Sequence, residues 1–178
     1  MAAAIALVVV VVVAVRHPST PKTVRFPAAA PASLAVGTPA PTFDLPTLGG
    51  GTTVQLSGYR GRPVVLNFFA SWCQNCPPEL PALAALARDR GAGVAVLGVD
   101  SDDQNPSAAR NMLAAAQATY PVVVDAKAQL STQYLLTALP ATYFIGRDGR
   151  VVGTAFGPQS AALLSSWVKR LTTGSASP

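Results

Sequence analysis

The sequence predicts an α/β sandwich with a mixed sheet. Three observations point there: apolar runs of strand length, amphipathic stretches of helix length, and a regular alternation of the two along the chain. Thr53 to Leu56 reads as a short strand after the Gly49-Gly50-Gly51 turn. Pro63 to Phe69 (PVVLNFF) is almost wholly apolar, as in a strand buried on both faces of a sheet. A helix is expected next, with Leu80, Leu83, Leu86 and Ala87 on one face and its end at Gly91. Val94 to Val99 repeats the buried-strand pattern. Pro106 to Ala118 suits a helix, with Asn105 or Asp103 as cap and Pro106 at the first position. Pro121 to Val124 is a short strand, and Lys127 to Leu136 reads as helical. Thr142 to Ile145 and Val151 to Ala155 flank the turn Arg147-Asp148-Gly149 as two strands. Ser160 to Leu171 closes the domain as a helix with Leu163, Leu164, Trp167, Val168 and Leu171 facing inward.

The two ends are of another kind. Met1 to Val15 is an unbroken apolar run without amphipathic period, and Val8 to Val15 is all valine but for Ala14. It is shorter than the ~20 residues that comfortably span a bilayer and sits at the top of the ~7–15-residue range of a signal-peptide core. Arg16 to Phe26 separate it from Ala30-Pro31-Ala32, the nearest small-residue cleavage pattern. Residues 1–15 are therefore expected to be a membrane anchor or signal segment, with the uncleaved anchor favoured. Residues 16–36, rich in Pro, Ala, Ser and Thr, cannot bury enough surface to offset chain entropy and read as a disordered tether. The folded domain is expected over 37–172, with a disordered tail at 173–178.

The formal charge of +5 is partly an N-terminal effect, since Arg16, Lys22 and Arg25 precede the first acid, Asp44. From residue 37 onward ten basic residues face eight acidic ones. No basic stripe with interleaved aromatics appears, which argues against nucleic acid as a partner.

The chemistry is concentrated at Trp72-Cys73-Gln74-Asn75-Cys76, which contains the only two cysteines of the chain. A disulfide needs Cα atoms roughly 4.4–6.8 Å apart, and two positions three apart on a helix meet that requirement. Zinc is the first rival, but a structural site wants about four Cys or His ligands, and the chain adds only His17, far off in the tail. A pair of inert buried thiols is the second rival. It leaves unexplained why both cysteines fall directly after a strong strand and at a helix start. The pair reads as one redox couple, with no metal and no other cofactor.

Around that pair the residues Gly61-Arg62-Pro63-Val64-Val65-Leu66-Asn67-Phe68-Phe69-Ala70-Ser71-Trp72-Cys73, then Cys76, Glu79, Pro81 and Leu83, resemble the TlpA/ResA-type branch of the thioredoxin superfamily. Gly37 to Phe43 and Leu139-Pro140-Ala141-Thr142-Tyr143-Phe144-Ile145 extend the match, which covers about residues 37–172. The resemblance implies a thioredoxin-like fold with an N-terminal strand extension. It implies a monomer tethered outside the bacterial plasma membrane, or secreted if the N-terminal segment is cleaved. Its partners would be thiols and disulfides of exported proteins, apocytochrome c among them, and a membrane thiol electron carrier. A reductase in cytochrome c maturation or thiol repair is expected; an oxidant of the DsbE kind is the alternative. A peroxidase is disfavoured, because peroxiredoxins carry Thr or Ser where Ala70 stands and Pro where Leu66 stands. A client-holding module without activity would have no use for an intact cysteine pair.

Within this reading Cys73 is the attacking thiol, its anion favoured by the N–H groups and macrodipole of a helix start. Cys76, one turn inward, resolves the mixed disulfide. Gln74 and Asn75 add no positive charge beside the thiolate, and Asn75 replaces the proline common in the family. Pro77 and Pro78 are expected to start the helix irregularly and keep Cys73 exposed. Trp72 lids the site or is a plain core aromatic. Glu79, the only glutamate of the chain, is the expected proton acceptor for Cys76, the alternative being an ordinary first-turn acid. It would replace the buried acid that thioredoxins proper carry at the position of Asn67. The resemblance implies a cis bond at Pro140, which would present the backbone of Leu139 to an extended substrate.

Overall fold

The computed structural model describes residues 33–173. The expected anchor or signal segment at 1–15, most of the expected tether and the residues after 173 lie outside the described residues. At the front, β1 (Asp44–Pro46) and β2 (Thr53–Gln55) form an antiparallel hairpin. Then follow β3 (Val64–Phe69), α1 (Leu80–Arg88), β4 (Ala95–Ser101), α2 (Pro106–Ala115), β5 (Val122–Asp125), α3 (Gln129–Gln133), β6 (Ala141–Ile145), β7 (Val151–Phe156) and α4 (Ala161–Thr173).

β3 to β7 make one mixed sheet in the order β5-β4-β3-β6-β7. β3, β4 and β5 run parallel, and β6 and β7 return antiparallel. All six residues of β3 are buried, as expected of a central strand covered on both faces. One face carries α1, α2 and α4, whose Leu80, Leu83, Ala109, Leu113, Leu164 and Leu171 pack on Val65, Phe69, Val96 and Phe144. The other carries α3 and the N-terminal segment, centred on the ring cluster Phe68, Tyr134 and Tyr143. Each fully buried Leu or Phe contributes about 1.5–3 kcal/mol, so the sheet is held from both sides.

The N-terminal segment is sewn on by backbone bonds. Gly37 N–H donates to Val151 O at 2.8 Å, and Val151 N–H to Thr38 O at 2.9 Å. Tyr134 Oη donates to Pro41 O at 2.9 Å across the cluster. The hairpin lies at the opposite edge, where Leu48 N–H donates to Val122 O at 2.8 Å.

Several expected boundaries move. β1 was not anticipated, because Asp44-Leu45-Pro46 has little strand character and is recruited by pairing with β2. α1 ends at Arg88 rather than Gly91; Asp89 turns out of helix and its carboxylate caps a 3-10 turn at Gly91 N–H. α2 stops at Ala115, and Gln117 has φ 53°. α3 has only five residues, and Leu135 at φ 55° ends the coil before Leu136. In α4, Leu163 is 50% exposed while Leu164 and Leu171 are buried. An apolar residue at the rim of a helical stripe is placed by the turn's exact phase, which composition does not set.

Candidate active site

The sequence VVLNFF ends at the rim of the sheet, and the chain turns there before α1. Ser71 to Cys76 form turns, in which Cys73 N–H donates to Ala70 O and Cys76 N–H to Cys73 O. A 3-10 turn at Pro77–Glu79 follows, and α1 proper begins only at Leu80. The helix start thus lies seven residues beyond Cys73, a correction to the sequence expectation. Pro77 and Pro78 account for it: neither can donate a ladder hydrogen bond, so regular helix is delayed until they are passed, while Pro81 sits in the first turn of α1, where no donor is needed.

Cys73 and Cys76 are joined as a disulfide with Cα atoms 5.4 Å apart. Cys73 keeps 6% of its surface and Cys76 none. Cys73 is less open than the prolines led us to expect, because the bridge draws its sulfur into the cluster with Phe69, Ala70 and Leu80. The ranking of the two cysteines is still clear: whatever contact with solvent the bridge has is through Cys73.

Glu79 is wholly buried. Its Oε1 accepts from Asn67 Nδ2 at 2.6 Å and its Oε2 from the backbone N–H of Gln159 at 3.0 Å. Asn67 Nδ2 also donates to Thr142 Oγ1 at 3.1 Å, so β3, β6, α1's entry turn and the loop before α4 meet at one carboxyl. Burial pushes that carboxyl up to about 7, against the two hydrogen bonds that favour its charge. An exposed first-turn acid would not have this environment. The group is poised to take or give a proton near neutral pH.

The Leu139–Pro140 bond is cis. Pro140 O accepts from Gly157 N–H at 2.9 Å, and Leu139 is half-buried against both apolar clusters. Trp72 is 59% exposed, which removes the core-aromatic alternative. Its indole N–H donates to Asp102 O at 3.0 Å, and with Leu136, Ala138 and Leu139 it lines an open groove of about 320 Å³. Gln74 and Asn75 are exposed on the turn between the cysteines. The structure therefore places Trp72, Gln74, Asn75 and Leu139 on surface or groove, and buries Glu79 and Asn67.

Sequence reasoning missed Asp100 and Asp103. Asp103 was seen only as a possible helix cap, yet Asn105 caps α2 by accepting from Ala108 N–H at 3.0 Å. Asp103 instead accepts from Ser71 Oγ at 2.9 Å, from Ser71 N–H, and from Asn105 N–H at 2.8 Å. The doubled acid Asp102-Asp103 directly after a buried strand was the available signal.

Residues 36–154 match the AhpC/TSA family. The chain belongs to that family. It is similar to ResA-type proteins. It is 28% identical over 146 residues to the thiol-disulfide oxidoreductase ResA of Bacillus subtilis strain 168, covering 82% of this chain and 80% of that one. Among solved structures, a DsbE-type thiol:disulfide interchange protein from Chlorobium tepidum superposes with a TM-score of 0.67 at 30% identity, covering 80% of this chain and 98% of that one. StoA from Bacillus subtilis gives a TM-score of 0.59 at 26% identity, with 72% and 96% covered. The fold is thioredoxin-like, and the protein is a TlpA/ResA-like thiol-disulfide oxidoreductase of the AhpC/TSA family. Among the described residues no cluster of three or more His, Cys, Asp or Glu could hold a metal. None of the described helices is long and apolar enough to cross a membrane.

Proposed function

We propose that this protein is a reductase of exported proteins, anchored by residues 1–15 with its folded part on the extracytoplasmic side of a bacterial plasma membrane. The observation that carries the reading is the Cys73–Cys76 bridge followed one turn later by a buried carboxyl that titrates near 7. In the reduced protein the Cys73 thiolate attacks one sulfur of a client disulfide. That S–S bond breaks, a mixed disulfide forms, and the other client sulfur leaves as thiolate. Cys76 passes its proton to the Glu79 carboxylate and attacks Cys73. The Cys73–Cys76 bond closes, the client is released with two electrons gained, and a membrane thiol carrier restores the dithiol.

Trp72, Gln74, Asn75 and Leu139 form the surface that the client strand meets, and the groove beside Trp72 supports an extended segment there. The client class is the cysteine pair of an apocytochrome c before haem attachment, or mispaired exported thiols. Ala70 and Leu66 stand where a peroxidase needs Thr or Ser and Pro, so the family name does not bring peroxide chemistry with it. The neutral Gln74-Asn75 pair offers no positive charge to favour the dithiolate, which supports a reducing couple over an oxidising one.

Equilibration against glutathione tests the direction. A potential well below about −200 mV is expected of the reductase, whereas a value near −120 mV, that of a strong oxidant, would overturn it. Reduction of a disulfide-closed Cys-x-x-Cys-His peptide faster than of insulin would assign the cytochrome client. Recovery in the soluble extracytoplasmic fraction of a chain shortened by its N-terminal segment would replace the anchor with a cleaved signal.

A further inference from the structure

Asp100, the last but one residue of β4, stands opposite Phe69, the last residue of β3, and is 1% exposed. Neither of its carboxyl oxygens meets an N–H or O–H donor among the described residues. What it does meet is the carboxyl of Asp103. Two carboxylates cannot donate to each other, so this contact is a hydrogen bond only while one of them carries a proton. The other neighbours decide which. Asp103 receives three donors, the N–H and Oγ of Ser71 and the N–H of Asn105. Asp103 therefore holds the charge and Asp100 the proton.

The same short segment grips the active-site turn twice. Asp103 holds Ser71, and the backbone oxygen of Asp102 holds the indole N–H of Trp72. Asp102 sits at φ 50°, a left-handed conformation that aspartate tolerates better than most residues. Residues 71 and 72 are the two immediately before Cys73.

We propose that Asp100 and Asp103 are positioning residues for Cys73: a single proton shared between them keeps Asp103 braced on Ser71, and its loss loosens the turn and sets a second negative charge beside the thiol. This rests on Cys73 being the exchanging sulfur. The direction agrees with the environment, in which burial first and the Asp103 charge second push Asp100 up to about 7. Burial alone would raise Asp103 too, but the bonds from Ser71, Asn105 and Asp100 hold it below its ordinary value.

Among the described residues no cation offsets the pair. Arg110, the one charged residue of α2, donates to Leu48 O and Ser107 Oγ. From β5, Asp125 is occupied on the other side of the sheet by Leu130 N–H and by Ser131. Tyr120, which precedes β5, is held neutral by burial and by the Glu79 charge. From the segment after β3 come Cys73, Cys76 and Glu79 themselves.

The test uses reduced protein in a Glu79→Gln background, so that Glu79 does not titrate in the same range. Alkylation of Cys73 by iodoacetamide is followed from pH 5 to 9. The parent should show an inflection near pH 7 besides that of the thiol. Asp100→Asn donates permanently to Asp103; it should lose that inflection and react about three- to tenfold faster at pH 8, the effect of one removed neighbouring charge on a thiol. Profiles that superimpose would overturn the proposal, as would a changed melting temperature with an unchanged profile. Should the variant not fold, carbon-13 NMR of the aspartate carboxyls in the oxidised protein decides the matter without any exchange activity. One aspartate titrating near 7 with the Ser71 amide shift following it is expected, and all aspartates titrating below 5 would refute the shared proton.

Discussion

Asn67 donates its side-chain N–H to Glu79 Oε1 across 2.6 Å, in a part of the molecule that neither residue shares with solvent. The amide occupies the strand position where thioredoxins proper carry an acid, and here it serves the acid that α1's entry turn brings to it. The carboxyl has moved from the strand to the turn, one turn after Cys76, and that exchange of places frames the chemistry expected of the site.

The two cysteines should behave differently. Cys73 retains 6% of its surface and Cys76 none. Cys73→Ser should therefore abolish turnover, whereas Cys76→Ser should accumulate a mixed disulfide with a model substrate. Mass spectrometry of both variants after incubation checks this, and trapping by Cys73→Ser instead would reverse the roles.

Glu79→Gln keeps the side chain's shape and its capacity to accept from Asn67 but cannot take a proton. The resolving step should slow by about tenfold or more, and the pH dependence of exchange around 7 should flatten. Stopped-flow tryptophan fluorescence from pH 5 to 9 reads both effects. Coincident profiles for the two proteins would remove the proton-acceptor role.

Stability should fall as pH rises through the acid-to-neutral range. Glu79 and Asp100 bind their protons more tightly folded, at about 7 each, than unfolded, where the reference values are 4.5 and 3.8. The native state thus holds more protons between those limits, which gives stability a negative slope there and none from these groups above about pH 8. One group contributes up to about 1.4 kcal/mol per pH unit, so the loss expected from each of the two is roughly 2–4 kcal/mol between pH 4.5 and 7.5. Urea unfolding of the oxidised protein at a series of pH values measures it. Constant or rising stability across that window would contradict the two buried environments.

Gly153 should not tolerate a side chain. It pairs with Phe144 across β6 and β7, and Trp167 of α4 lies stacked on Phe144 with ring centroids 4.3 Å apart. A Cβ at Gly153 would stand 2.3 Å from Trp167 Cη2. Gly153→Ala should cost about 1–3 kcal/mol by displacing the indole. Thermal and urea unfolding report it, and a near-UV circular dichroism change at the Trp167 band should accompany it.

The strands were legible because β3, β4 and β5 are buried on both faces and advertise it in runs dominated by Val, Leu and Phe. The helices were legible in phase but not in length. α2 and α3 end where Gln117 and Leu135 take positive φ, and nothing in those residue types announces it. β1 was invisible for a related reason, since a strand that exists through its partner carries little signal of its own. The candidate site divides the same way. Cys73, Cys76 and Pro140 could be named from a local motif, while the role of Asp103 could not be separated from that of Asn105 two residues on.

By itself the sequence determined the redox couple, the alternation of strand and helix, and which residues would be apolar enough to form the core. These follow from spacing along the chain, because periodic burial and backbone hydrogen bonding are local in sequence. Only the tertiary structure decided that Glu79 would be sealed in the interior with Asn67 twelve positions before it and Gln159 eighty after it as partners. It alone brought Asp103 across 32 positions to Ser71 and left Asp100 with another carboxyl for company. A carboxyl's charge depends on the water it has lost and the donors it has met, and both come from chain segments that its own neighbours in sequence cannot specify.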